Sequence, residues 1–363
     1  MTEKKMRVGL GQITAPDEDM LVFARQLGLA SVQFNTPSLP GTARWEYDDL
    51  AALREQCERH GLTLEAIENL PNSFYERCML GLPGREDELE GVKATIRNMG
   101  RAGIPVLGFH FMPGSVWRTT MSAPGRGGAL ASAFDLAVAS DPARLSEIFI
   151  ARRDQRVREN ESFVRDAHYS PGAALSEADL WANFAYFMHG ILPAAEEAGV
   201  RLALHPDDPP VPMLGGIARL FCSVDALRRA DRIANSPAFG FELCLGTLSE
   251  MAGEGPVLEA IEAFGPDDKI VYVHFRDVLG WVPRFQEAFL GEGNFNPLKV
   301  MRALKRMGFS GFILDDHVPR MTGDTAYGHR SRAQAIGYLQ ALIAVVEDEA
   351  ESGSVGDTRA AGE

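Results

Sequence analysis

Four short apolar runs decide the reading of this chain: RLALHP (201–206), FGFELCLG (239–246), IVYVHFRD (270–277) and GFILDDH (311–317). Each is rich in Val, Ile, Leu or Phe and is broken afterwards by Pro, Gly or charge, the pattern of a strand buried on both faces of a parallel sheet. Each also brings a potential metal ligand to its C-terminal end: His205, Cys244, His274 and Asp316. In a (β/α)8 barrel the C-terminal strand ends open onto one face, so residues far apart in sequence converge there. Two imidazoles, a thiolate and a carboxylate suit a divalent transition metal. Their mixed N, S and O character disfavours Mg or Ca and allows Mn, Fe, Co or Zn.

Working back from these runs, strand candidates recur at MRVGLGQI (6–13), ASVQFN (30–35), LTLEAIEN (62–69) and PVLGFHFMP (105–113), the last placing His110 near its end. Amphipathic segments separate them, so eight strands alternate with eight helices. No GxGxxG or phosphate-binding loop follows the first strand, which favours a closed barrel over a doubly wound open sheet. The expected architecture is one (β/α)8 TIM barrel over residues 1–350 with a polar, disordered tail at 351–363. A helical insertion of about 114–175 follows strand 4, too long for a simple βα loop. Because it leaves a strand at its C-terminal end, it is expected to be a lid over the active face.

Composition narrows the partners. The 363 residues are 45% hydrophobic and 24% charged, ordinary for a globular protein, and the formal net charge of −14 argues against nucleic acid or an anionic membrane surface. The N-terminal residues lack the apolar core of a secretory signal and no run is long enough to span a bilayer, so a cytoplasmic location is expected. The four cysteines, Cys57, Cys78, Cys222 and Cys244, form no CxxC pair and no disulfide framework.

Around the ligands lie groups suited to proton transfer and substrate binding. His317 follows Asp316; a bound cation nearby disfavours its imidazolium form and keeps it available as a base. Tyr327, in the loop after the same strand, offers a phenol as proton donor. Asp315 and Asp316 point to opposite sides of their strand, and Asp316 is the one assigned to the metal. Asp207 and Asp208, in the Pro-stiffened HPDDPP, are placed to orient His205 or bind substrate hydroxyls. Arg276, two residues past His274 and so on the same strand face, is placed to meet a substrate carboxylate.

FMPGSVWRTTM (111–121), LHPDDPPVPMLGGIARL (204–220), NSPAFGFELCLGTLSEM (235–251), VHFRD (273–277), the Asp316–His317 pair and YGHRSRA (327–333) together resemble the mannonate dehydratase family, the UxuA type, within the xylose-isomerase-like barrels. The resemblance implies dehydration of D-mannonate to 2-keto-3-deoxy-D-gluconate, a step of hexuronate degradation, with one divalent ion, Mn or Fe before Co or Zn. It places the metal on His205, Cys244, His274 and Asp316 and the acid–base pair on His317 and Tyr327. Arg276, Asp207, Asp208 and His110 fall on the substrate side, and a homo-oligomer is compatible with it. The chain departs from the family pattern there: Asp315 stands where an Arg usually precedes the metal carboxylate, His110 replaces an Asn, and EAFLGEGNFN (287–296) replaces a His-Leu-x-Gly segment. Those departures keep a second expectation open, a metal-dependent isomerase, epimerase or lyase acting on a sugar or related polyol. A non-catalytic sugar-binding descendant is a third, which the intact ligand set and acid–base pair speak against.

Overall fold

The computed structural model describes residues 5–114, 116–141, 149–150 and 175–359. Eight parallel strands close a barrel: β1 (Arg7–Ile13), β2 (Ser31–Asn35), β3 (Thr63–Glu68), β4 (Val106–Phe109), β5 (Arg201–Leu204), β6 (Phe239–Cys244), β7 (Ile270–His274) and β8 (Phe312–Leu314). Each pairs with its neighbours in the chain, and β8 closes on β1 through Arg7 opposite Phe312 and Val8 opposite Ile313. All eight expected strands are present. The ring of helices is α1 (Glu18–Gln26), α2 (Tyr47–Arg59), α3 (Arg85–Arg101), α4 (Glu177–Ala198), α5 (Val224–Ala234), α6 (Glu254–Phe264), α7 (Pro297–Arg306) and α8 (His329–Arg359).

Local chemistry sets the helix starts. Ser176, Ser223 and Asn296 cap α4, α5 and α7 by accepting from backbone N–H groups three residues on, and Pro297 opens α7 where no N–H is needed. The main core lies between strands and helices. Inside the barrel a separate layer of Ala66, Val106, Ala203, Val271, Tyr272, Phe312 and Leu314 fills the lumen. Tyr272 stacks on Phe312 with ring centroids 4.8 Å apart and closes the floor beneath the strand ends.

The excursions on the C-terminal face differ from expectation. The described part of the insertion is mostly β structure rather than helix, with strands Trp117–Arg118, Thr120–Pro124, Leu130–Asp135 and Phe149–Ile150, a 3-10 turn at Arg126–Gly128 and a helical turn at Leu136–Ala139. The highly charged stretch 151–174 lies outside the described residues. The segment after β7, expected as a polar loop, is a hairpin of Asp277–Trp281 and Arg284–Ala288. Its second strand pairs with Leu130–Asp135 of the insertion, so two loops separated by about half the chain share one four-stranded sheet. Phe134 stacks on Phe285 at 5.6 Å in a small core of its own with Trp117, Val211, Leu214 and Val278. At the other end of the chain, α8 takes in residues 351–359, where composition predicts a disordered tail.

Candidate active site

Strand ends β5, β6 and β7 bring three ligand-type side chains together as the sequence predicts. The ligand atoms of His205, Cys244 and His274 lie within 4.8 Å of one another, and all three residues are buried. Cys244 and His274 sit opposite each other in the β6–β7 register. His205 Nδ1 is 2.5 Å from the Pro206 carbonyl, which only accepts, so the proton is on Nδ1 and Nε2 is the nitrogen left to ligate. Asp316 stands at the edge of the cluster, its Oδ2 3.7 Å from His274 Nδ1. Burial alone raises a thiol, yet Arg276, His205 and His274 hold Cys244 well below its ordinary value, as a thiolate. Burial likewise opposes charge on His205, but Cys244 and Glu242 push it up to about 10.

A cation fits these residues. Neither ring nitrogen of His274 has an aligned hydrogen-bond partner although the residue is buried, and a thiolate beside two imidazoles is a donor set for a borderline transition ion. Without the ion, protons on the imidazoles offset the same negative charge.

Sequence reasoning missed the acidic groups beneath the cluster. Glu68, the last residue of β3, and Glu242, two residues before Cys244 and so on the same face, approach His274 Nε2 to 3.2 Å and 3.0 Å. Four side-chain amides donate to Glu68: Gln33 and Asn35 at 2.5 Å each, Gln12 and Asn69 at 3.2 Å each. Glu242 accepts from the Tyr272 hydroxyl at 2.5 Å, while burial and the Glu68 charge push its carboxyl up to about 8. Gly108 makes room for this pair, since a Cβ there would press into Glu242 Oε2 at 2.9 Å and into the Tyr272 hydroxyl. The strand-end criterion applied to LTLEAIEN would have found Glu68. A carboxylate inside the apolar run FGFELC was the signal for Glu242.

Arg276 does not do what its position in the sequence suggests. It is 1% exposed, and its five N–H donors are committed within the protein. Nε donates to Asp316 at 3.0 Å, Nη1 to Glu250 at 2.7 Å and to Glu287, and Nη2 to Asp208 at 2.7 Å and to the Thr247 hydroxyl at 3.1 Å. Gly246 permits this, because a Cβ there would lie 2.5 Å from the Arg276 side chain. Arg118, delivered by the insertion, completes the network with a two-pronged pair to Asp208 at 2.5 and 2.8 Å and a bond to Glu287 at 2.9 Å.

The cavity above these groups, of about 630 Å³ and open to solvent, is lined by His205, His274, Asp316 and His317, by His110 and Asp208, and by Asn35, Thr36, Glu68, Asn69 and Asn72. His317 thus does turn into the site. His110 Nδ1 accepts from the Met112 N–H at 3.3 Å, leaving Nε2–H as a donor. Asp207 is turned away: its Oδ2 accepts from the N–H groups of Leu220 and Phe221 at 2.6 and 3.1 Å and shapes the β5 loop. Tyr327 is not among the cavity residues, and its hydroxyl donates to the Gly11 carbonyl at 2.7 Å. Asp315, in place of the expected Arg, accepts from Arg332 at 3.0 Å, and that guanidinium lies 4.6 Å over the Tyr327 ring. Among the described residues no Lys or Arg lines the cavity.

Fold and site together define a (β/α)8 barrel with a buried N/S donor set suited to a divalent transition metal at its strand ends. The same architecture occurs in an L-ribulose 3-epimerase, with TM-score 0.58 and 15% identity over 96% of this chain and 98% of that one, which shows the fold alone. The D-mannonate dehydratase (UxuA) family profile matches residues 14–352. A mannonate dehydratase 2 of Halalkalibacterium halodurans is 34% identical, covering 82% of this chain and 87% of that protein. A mannonate dehydratase of Lactococcus lactis is 29% identical over 85% and 89%. The crystal structure of mannonate dehydratase from Streptococcus suis superposes with TM-score 0.81 and 28% identity, covering 95% and 96%. The chain belongs to the D-mannonate dehydratase family and is a hydro-lyase, a carbon–oxygen lyase that depends on a metal.

Proposed function

We propose that the chain dehydrates D-mannonate to 2-keto-3-deoxy-D-gluconate and water, with one divalent ion, Mn or Fe before Co or Zn, held by His205, Cys244, His274 and Asp316. The observation that carries this reading is that His205, His274, Asp316 and His317 line one cavity, with Cys244 clustered against the two ligand-type histidines, in a chain of this family. When bound, the ion supplies Lewis-acid stabilisation for the charge that develops on the substrate carboxylate.

The protein's own groups do the rest. The reaction removes a proton from the carbon α to the carboxylate and expels hydroxide from the next carbon, and the resulting enol becomes the ketone. His317, in the cavity beside Asp316, is placed to carry a proton. Burial raises the Tyr327 phenol above its ordinary value and keeps it protonated, and its role as donor to the leaving hydroxyl requires that it release the Gly11 carbonyl. With Arg276 committed to carboxylates, the substrate carboxylate belongs at the metal end, where cationic charge resides. The hydroxyls then face the His110 and Asn72 side of the cavity, while Asn35 and Asn69, whose amide N–H groups go to Glu68, hold that carboxylate in the same wall. Asp208 acts at one remove, holding Arg118 and Arg276.

A panel of hexonates assayed with Mn, Fe, Co or Zn tests this. We expect 2-keto-3-deoxy products, from D-mannonate first. Turnover of neutral sugars alone would favour the isomerase or epimerase reading.

A further inference from the structure

The four-stranded sheet built from the insertion and the β7 hairpin does more than cover the barrel mouth. It delivers Glu287 to His317, with Glu287 Oε1 2.9 Å from His317 Nδ1. A second group, Arg118 Nη2, lies 3.1 Å from the same ring nitrogen. That nitrogen of Arg118 has two hydrogens, and both have better acceptors: Asp208 Oδ2 at 2.8 Å and Glu287 Oε1 at 2.9 Å. None is left for the imidazole. A carboxylate only accepts, so the proton between His317 and Glu287 is on Nδ1, and Nε2 is the ring nitrogen left to exchange a proton with a substrate. Nε2 is also the nitrogen nearer the metal-side carboxylate, 3.6 Å from Asp316 Oδ2.

We infer that Glu287 is the positioning carboxylate of His317: it fixes the Nδ1–H tautomer, so that His317 enters the dehydration as proton acceptor through Nε2, and it offsets the imidazolium that then forms. The inference rests on the reading of His317 as a proton-transfer residue. One proton passes from the substrate α-carbon to Nε2, the Nδ1 proton stays in place, and Tyr327 is left as the donor to the departing hydroxide. Glu287 suits this role because it is itself held rigidly. Arg276 Nη1 contacts both its oxygens at 3.1 and 3.2 Å and Arg118 contacts Oε1. Burial opposes its charge, yet Arg276, His317 and Arg118 keep the carboxyl below its ordinary value. Its strand is tied on one side to Val278, opposite Glu287 in the hairpin, and on the other to the insertion, where Phe285 pairs with Phe134. The same logic governs histidine–carboxylate pairs generally, where an amide in place of the carboxylate keeps the shape but selects the wrong tautomer.

The experiment uses zinc-loaded full-length protein with ¹⁵N-labelled histidine, His317 being assigned by its loss in His317→Asn, together with kinetics of the dehydration. We expect the Nδ1–H signature for His317 in the wild type. Glu287→Gln should move it to the Nε2–H form and lower kcat about 10²- to 10⁴-fold, with KM and metal content within about twofold of wild type. Glu287→Asp, which keeps the charge beside both arginines, should restore the Nδ1–H form and part of the rate. An Nε2–H signature in the wild type, or Glu287→Gln with near-normal kcat, overturns the inference. If Glu287→Gln does not fold, the wild-type signature and the Glu287→Asp rate decide. Wild-type turnover by His317→Asn would instead overturn the proton-transfer reading, whatever the tautomer.

Discussion

Two groups of buried charge lie side by side at the mouth of this barrel, and they differ in how completely their hydrogen bonds are satisfied. Around Arg276, Asp208, Glu250, Glu287, Asp316 and the Thr247 hydroxyl take up all five donors, and Arg118 gives its two terminal nitrogens to Asp208 and Glu287, while Arg118 Nε and Glu250 Oε2 have no partner. Around His274, both ring nitrogens lack an aligned partner, and Glu242 Oε1 does too. A buried polar group without a partner costs free energy that a folded chain seldom tolerates without a use for it. The guanidinium-centred network is therefore held chiefly by its own ion pairs, Asp316 is shared between the two groups, and the imidazole-centred cluster is the half with buried nitrogens left to bind something else. The difference also explains why Arg276, which the sequence places beside a ligand strand, belongs to the wrong half of this division to serve as a substrate clamp.

The sharpest way to break this comparison is to remove a ligand. His274→Ala or Cys244→Ala should abolish metal binding and with it activity, while the fold persists. Elemental analysis of the purified variants checks this, and undiminished metal in both would show that the imidazole-centred cluster is not a ligand site. Next in size, His317→Asn should keep its metal and lose about 10²- to 10⁴-fold in kcat, measured by steady-state kinetics beside elemental analysis. Loss of metal together with rate would move His317 into the ligand set.

On the guanidinium side, Arg276→Met leaves buried carboxylates without their cation, which costs about 3–5 kcal/mol of stability. Denaturant unfolding should show that loss, and any residual activity should fall equally for acidic and neutral substrates. A selective loss on sugar acids with unchanged stability would restore Arg276 as a carboxylate clamp.

The smallest effect concerns a buried carboxylate that belongs to neither group. Glu76 Oε1 has no partner, and burial followed by the Glu88 charge pushes its carboxyl up to about 8. The folded state then holds a proton between the ordinary value near 4.5 and about 8 that the unfolded chain releases. Stability contributed by this group is complete below that window and falls as pH rises through it. Glu76→Gln should flatten that fall by roughly 1–2 kcal/mol between pH 5 and 8, read from urea unfolding at several pH values. An unchanged slope would mean that Glu76 is ionised in the folded protein.

What was legible in the sequence is what depends on local periodicity. Apolar runs ending in His205, Cys244 and His274 announced both the barrel strands and the residues that cluster at their ends, because the C-terminal ends of parallel barrel strands converge on one face. Tertiary structure alone decided which charges are spent on each other. Arg276 and Asp208 are 68 positions apart and Arg118 and His317 are 199 apart, and no local pattern records that they meet. It also turned Asp207 inward to backbone N–H groups, paired Asp315 with Arg332, and placed Glu287 against His317 through a sheet whose strands come from two separate loops. Strand periodicity is a property of neighbouring residues, whereas hydrogen-bond satisfaction in a buried network is settled only when every donor and acceptor that reaches the site is counted together.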